Sequence, residues 1–247
     1  MLGLPDGIRA CLFDLDGVLT RTAEVHAGAW AEMFDEYLKA RSGRTGEPFV
    51  PFDTAADYQH YVDGKPRADG VRSFLASRGI TLPEGTPSDW PDKETVGGLG
   101  TRKNALVLTI LDQRGVRAYE GSVRYLHAVR AAGLTTGVVS SSANCLAVIT
   151  AAGIADQFDV RVDGLVAAER SLKGKPAPDT FIAAAEELGL APAQAAVFED
   201  ALAGVEAGRA GGFGLVVGVD RVGHAQALLD HGADIAVADL AELLDRP

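Results

Sequence analysis

Five short apolar runs, at residues 10–15, 135–140, 195–198, 214–219 and 234–238, show almost no alternation of polar and apolar side chains. A strand with one wet face alternates with period two, so nearly continuous runs of this length fit strands covered on both faces of a parallel sheet. Segments of helical character lie between or beside them, at 122–132, 144–152, 178–188, 201–210 and 224–231. Parallel strands need crossover connections, usually helices. The alternation therefore predicts an α/β fold with a layered parallel sheet.

Residues 22–115 do not join this rhythm. They read as helices at 23–40, 54–62, 70–77 and 101–114, separated by Pro- and Gly-rich loops such as 43–51 and 82–91. The expected organisation is a sheet domain built from 1–21 and 116–247, interrupted by a helical cap, 22–115, over the strand ends. The glycine-rich stretch 204–214 lies inside and after a helix, not between a strand and a helix start, which argues against a dinucleotide site.

Across its 247 residues the chain carries 34 Asp and Glu against 23 Lys and Arg, a formal charge of −11. An excess of carboxylates with no basic run repels nucleic acid and anionic membranes, so neither is an expected partner. No apolar stretch approaches the roughly 18 to 20 residues needed to cross a bilayer. The first twelve residues lack the basic start and long apolar core of a signal peptide. A soluble, cytoplasmic monomer is expected. Cys11 and Cys145 have neither metal-ligand nor disulfide spacing and read as buried thiols.

The first run leads into Asp14-Leu15-Asp16-Gly17. Two carboxylates there would sit in the crevice at the carboxyl end of a parallel sheet, where open α/β folds bind ligands. Taken alone, the same residues suit an ordinary turn. Glu199-Asp200 ends the run 195–198 in the same manner, or simply starts an acidic helix. If the two strands are parallel, up to four carboxylates converge. Like charges that close raise each other's pKa unless a cation is present, and a hard divalent ion, most economically Mg²⁺, suits oxygen ligands and a phosphate partner. Ser140-Ser141-Ser142-Ala143-Asn144 supplies hydroxyls before a helix, as a phosphoryl site or a plain N-cap. Lys175 stands in Gly174-Lys175-Pro176-Ala177-Pro178-Asp179, where two prolines stiffen the backbone, either to neutralise a phosphate or as a surface lysine.

In this order, each joined to a core strand, these four segments resemble the motifs of the haloacid dehalogenase superfamily of phosphotransferases over almost the whole chain. The resemblance implies a Rossmann-like parallel sheet core with an inserted α-helical cap. It narrows to the β-phosphoglucomutase-like subfamily through Thr22, His26 and Trp30 after the first motif, Arg67 in Asp63–Asp69, and the pair Lys103-Asn104. Arg21 departs from that pattern, standing where the subfamily has an acidic residue, and Ala143 where it has a phosphate-binding lysine. The loops 41–52 and 81–98 are longer than in a minimal member.

The resemblance implies a Mg²⁺-dependent enzyme, a phosphomutase or phosphatase working through an aspartyl-phosphate. Asp14 is the implied nucleophile and Asp16 the general acid and then base. Asp14, Asp200 and the Asp16 backbone carbonyl are the implied metal ligands, with Glu199 assisting. Ser140 and Lys175 would hold the equatorial oxygens of the transferred group. Thr22, His26, Trp30, Arg67, Lys103, Asn104, Ser142 and Asn144 are the implied substrate-binding residues, several of them suited to a second phosphate. Their joint presence favours conversion of β-glucose 1-phosphate to glucose 6-phosphate; the alternative is a phosphatase for sugar phosphates or other small phosphomonoesters. Without the resemblance, His26 reads as packing on the helix face it shares with Thr22 and Trp30, and Arg67 and Lys103 as solvated cations. A signalling receiver module also combines Asp, Ser/Thr, Lys and Mg²⁺, but it is a capless domain of about half this length.

Overall fold

A computed structural model describes residues 2–245. Six parallel strands, β1 (Ala10–Phe13), β2 (Thr135–Val139), β3 (Val160–Val162), β4 (Ala195–Glu199), β5 (Leu215–Val219) and β6 (Ile235–Val237), form one sheet in the order β3-β2-β1-β4-β5-β6. Five of them answer to the apolar runs. The sixth, β3, was not expected from the sequence: it is a three-residue edge strand, Val-Arg-Val, too short to register as a run. The helices, in chain order, are α1 (Ala23–Thr45), α2 (Arg67–Ser77), α3 (Val96–Arg114), α4 (Glu120–Ala131), α5 (Cys145–Ala151), α6 (Gly164–Glu169), α7 (Asp179–Glu187), α8 (Leu202–Ala210) and α9 (Ala225–Asp230). No described helix is long and apolar enough to cross a membrane.

Two compact units divide the chain. One runs to Arg21, takes in Gly64–Pro66 and resumes at Val116; the other holds Thr22–Asp63 and Arg67–Gly115. In the first, strands β1, β4 and β5 are wholly buried, which is why their sequences do not alternate. Leu12, Val197 and Val216 pack in one core with Phe181 of α7, Val205 of α8 and Leu228 of α9. Their neighbours Phe13 and Phe198 stack with ring centroids 4.6 Å apart, and Tyr125 of α4 meets Phe13 edge-on at 6.4 Å. Successive strand residues thus serve opposite faces, and the sheet has helices on both. The chain builds outward from β1 to β3, then returns to build from β4 to β6. This reversal opens a crevice at the carboxyl ends of β1 and β4.

The second unit gathers around α1. Trp30, Met33, Phe34, Tyr37 and Leu38 recur at helical spacing and form one buried stripe. Phe34 stacks on Trp30 at 5.2 Å and meets Phe74 of α2 at 4.1 Å; Val71, Leu75, Val96 and Leu99 close the same cluster. Helix α3 begins at Val96, earlier than glycines 97, 98 and 100 suggest. A Cβ on Gly97 would lie 2.0 Å from the Thr86 carbonyl oxygen, and one on Gly98 2.2 Å from that of Lys93. The glycines are there so that the preceding loop can lie against the helix start, which Thr95 caps by accepting the Gly98 N–H at 2.9 Å. The helix expected over 54–62 contains a π-helical turn, Tyr58–Val62, and α1 continues to Thr45, past the expected end at 40.

Candidate active site

Parallel pairing places Phe13 beside Phe198, so the next residues, Asp14 and Glu199, emerge together at the crevice. The Asp14 N–H donates to the Phe198 carbonyl at 2.9 Å, carrying the pairing one residue further. Lys175 enters between them, 1 % exposed, and its Nζ donates to Asp14 Oδ1 at 2.6 Å, Glu199 Oε1 at 2.5 Å and the Val139 carbonyl at 3.1 Å. An ammonium has three donors, and all three are used on protein acceptors. The ammonium also lies over Phe181, whose ring centroid is 4.9 Å from Nζ. Glu199 Oε2 accepts the Ala201 N–H at 3.0 Å.

Carboxylate oxygens of Asp14, Glu199 and Asp200 all lie within 4.8 Å of one another, and all three residues are buried. Ionised together beside one ammonium, they carry two negative charges in excess. Burial, reinforced by Glu199 and Asp16, pushes the Asp14 carboxyl well above its ordinary range against the pull of Lys175. Burial alone would depress the Lys175 ammonium, but Asp14 and Glu199 together hold its pKa above the usual lysine value. A set of close, buried oxygen donors with surplus charge fits a hard divalent cation.

Two glycines make this cluster possible. Gly17 turns the chain with φ +92°, and a Cβ there would lie 1.7 Å from Asp200 Oδ2; a Cβ on Gly204 would lie 1.9 Å from the Glu199 carboxyl carbon. The Gly17 turn is closed by its N–H to the Thr20 carbonyl at 2.8 Å. The unexpected strand β3 positions Ser140, whose N–H donates to Val162 at 3.0 Å while its Oγ accepts the Ser142 N–H at 3.1 Å. Ser142 Oγ in turn accepts the Asn144 N–H at 3.1 Å. Asp16, half-buried, occupies the turn one residue before Gly17. Sequence reasoning missed His224, whose Nε2 sits 3.2 Å from the Asp200 carbonyl oxygen, and Arg221, which holds the Gly17 turn. Both lie in a short polar loop that carries no local signal.

Residues 8–212 match the sequence model of haloacid dehalogenase-like hydrolases. The chain belongs to this family. Within it, a β-phosphoglucomutase of Mycobacterium bovis is 59% identical over 247 residues, covering 99% of this chain and 94% of the relative. A fructose-1-phosphate phosphatase of Escherichia coli is 29% identical, covering 83% and 93%. The crystal structure of a β-phosphoglucomutase from Clostridium difficile superposes with TM-score 0.72 at 25% identity, covering 96% of this chain and 93% of the other. Haloacid dehalogenase-like members are enzymes, and the sheet order described above is this family's parallel α/β core.

The other expected residues, Thr22, His26, Trp30, Arg67, Lys103 and Asn104, lie in the helical unit. Thr22 precedes α1 and accepts the His26 N–H at 2.9 Å. Lys103 is only 5 % exposed: its Nζ lies 2.6 Å from His26 Nδ1 and 4.7 Å from the centroid of Trp30. Lys103 is therefore buried, not solvated, and His26 is its polar partner, not a packing residue alone. Arg67 opens α2 and lies against Gly100, whose Cβ position is 3.5 Å from the arginine Nε. Burial lowers the Arg67 pKa from its usual value, without removing the charge of a guanidinium. Asn104 is half-buried on α3 beside Lys103. Arg21 lies over the Tyr119 ring at 5.0 Å, and Cys11 and Cys145 are buried and unpaired.

Proposed function

We propose that this enzyme is a Mg²⁺-dependent phosphomutase that converts β-glucose 1-phosphate to glucose 6-phosphate through a phosphorylated Asp14. The observation that carries the reading is the buried carboxylate of Asp14, held by Lys175 beside Glu199 and Asp200, in a chain so close to a β-phosphoglucomutase along its whole length. The oxygen-donor cluster fits the cation: Asp14, Asp200 and the Asp16 carbonyl would hold it, with Glu199 assisting. Bound there, Mg²⁺ offsets the repulsion between an anionic nucleophile and an anionic phosphate.

Asp14 attacks phosphorus in line, the bond to the leaving oxygen breaks, and Asp16 gives that oxygen a proton. The reverse exchange then takes a proton from the acceptor hydroxyl onto Asp16, forms the new phosphorus–oxygen bond and frees the Asp14 carboxylate. Lys175 fixes the Asp14 carboxylate and, with Ser140, stabilises charge on the equatorial oxygens. Arg67, Lys103, Asn104, Ser142 and Asn144 suit the second phosphate of a bisphosphate, and Thr22, His26 and Trp30 the sugar. The core at 1–21 and 116–247 would carry the chemistry and 22–115 would act as a cap that excludes water. Free thiols and a phosphorylated substrate suit a cytoplasmic enzyme.

A second reading, a sugar-phosphate phosphatase, is favoured by two features: Ala143 stands where the β-phosphoglucomutase-like pattern has a phosphate-binding lysine, and a phosphatase relative aligns over most of the chain. The test supplies β-glucose 1-phosphate, Mg²⁺ and a trace of glucose bisphosphate. Glucose 6-phosphate forming faster than inorganic phosphate is expected; predominant phosphate release selects the second reading. Asp14→Asn should abolish either activity.

A further inference from the structure

Arg221, in the loop after β5, has no part in the chemistry outlined so far, yet its guanidinium is bound on every nitrogen. Nε donates to the Gly17 carbonyl at 2.9 Å, and Nη2 to the Val18 carbonyl at 3.2 Å and to Ser122 Oγ at 3.0 Å. Nη1 donates to the Ala238 carbonyl at 2.7 Å and to Asp239 Oδ2 at 3.2 Å. The guanidinium carbon lies 3.7 Å from the centroid of Tyr119, the ring that Arg21 also overlies. Room for the anchoring carboxylate depends on Gly121, where a Cβ would lie 1.7 Å from Asp239 Oδ1.

We infer that Arg221 is a positioning residue for Asp16. This rests on the reading of Asp16 as general acid and base. The turn that carries Asp16 pivots on Gly17 at a φ of +92° and is closed from within by the Gly17 N–H to the Thr20 carbonyl at 2.8 Å, while the Gly17 and Val18 carbonyls point outward to Arg221. Two carbonyls held by one planar fork restrain the peptide planes after Gly17 and Val18, and the Gly17 N–H bond to the Thr20 carbonyl ties the plane after Asp16 into the same turn. The fork is itself fixed from behind by Asp239, Ala238 and Tyr119. A lysine keeps the charge but cannot reproduce the fork.

Arg221→Lys separates this role from general damage. Protonating a sugar oxygen needs Asp16, whereas p-nitrophenolate leaves without a proton. In the full chain with Mg²⁺, the kcat for β-glucose 1-phosphate is expected to fall about 100-fold with KM nearly unchanged, the size that a small misplacement of a reacting group costs. The pre-steady-state burst of p-nitrophenolate from p-nitrophenyl phosphate, which reports only the first transfer onto Asp14, should slow no more than about threefold, because that step bypasses the general acid. Asp239→Asn, which removes the charge of the anchor while an amide oxygen can still accept the Ala241 N–H, should give the same selectivity with a smaller loss, and guanidinium added to Arg221→Ala should restore sugar phosphate turnover. Equal losses on both substrates in Arg221→Lys and Asp239→Asn, without rescue, would overturn the assignment. If the wild type only hydrolyses hexose phosphates, the mutase reading fails, and the same ratio taken on that hydrolysis still decides the role of Arg221.

Discussion

The Cβ that Gly17 lacks would lie 1.7 Å from Oδ2 of Asp200, so two residues far apart in sequence occupy what is nearly one volume. Gly17→Ala forces either the turn or the Asp200 carboxylate to move. It also places a side chain at φ +92°, which costs about 1 kcal/mol or more by itself. The expected outcome is a folded protein with activity reduced by several orders of magnitude and weakened Mg²⁺ affinity. Titration calorimetry with Mg²⁺ and a steady-state assay check this; unchanged metal binding would contradict it.

Lys175 is the only cation hydrogen-bonded to Asp14 and Glu199 among the described contacts. Lys175→Met keeps a buried unbranched side chain of similar length but removes the ammonium that both Asp14 and Glu199 accept from. Removing one partner of a buried ion pair costs about 3–5 kcal/mol. A lower thermal midpoint is therefore expected together with loss of turnover. Added Mg²⁺ should recover part of the stability, because a cation can take over the compensation of charge.

Phe34 holds the helical unit by stacking on Trp30 and meeting Phe74. Phe34→Ala should cost about 3–5 kcal/mol, the usual range for emptying a buried aromatic site. Hydrogen exchange is expected to speed up in α1, α2 and α3 while β1 and β4 stay protected. Equal acceleration in both units would show instead that they unfold as one.

Asp89 accepts from Thr95 Oγ1 at 2.7 Å, Thr86 Oγ1 at 3.0 Å and Lys93 Nζ at 3.2 Å. These donors, Thr95 first, hold its carboxyl down at about 2. A carboxyl depressed by folding stabilises the native state above its unfolded pKa, near 4. That contribution fades as the pH falls from there through about 2. Wild type should therefore lose more of its margin over Asp89→Asn between pH 4 and 2 than between pH 7 and 5. Chemical denaturation at a series of pH values measures the difference, and NMR titration of the carboxyl locates the midpoint directly.

Strands β1, β4 and β5 were legible because burial on both faces removes polar alternation, and that property is local. The edge strand β3 was not, since two valines flanking an arginine are too few to carry a period. The helix expected from 101 begins at Val96 and takes in glycines 97, 98 and 100, and the loop packed against it leaves no room for a Cβ at positions 97 and 98. Without the family resemblance Lys103 reads as a solvated cation, and it is instead buried on Trp30 beside His26. Nothing near Arg221 marks it, for its five acceptors come from the ends of β1 and β6 and from the start of α4.

By itself the sequence determined the α/β layering, the family, and which residues end the core strands with carboxylates, since periodicity and motif order are properties of the chain as written. Tertiary structure decided that β1 and β4 are neighbours and that one buried ammonium bridges Asp14 to Glu199. It also decided that Asp200 makes a glycine obligatory at position 17, and that Arg221 holds the Gly17 turn across 204 residues of chain. Hydrophobic pattern reports how much water each segment meets. Which charges share a site depends on strand order and close packing, and these are settled only when the distant segments meet.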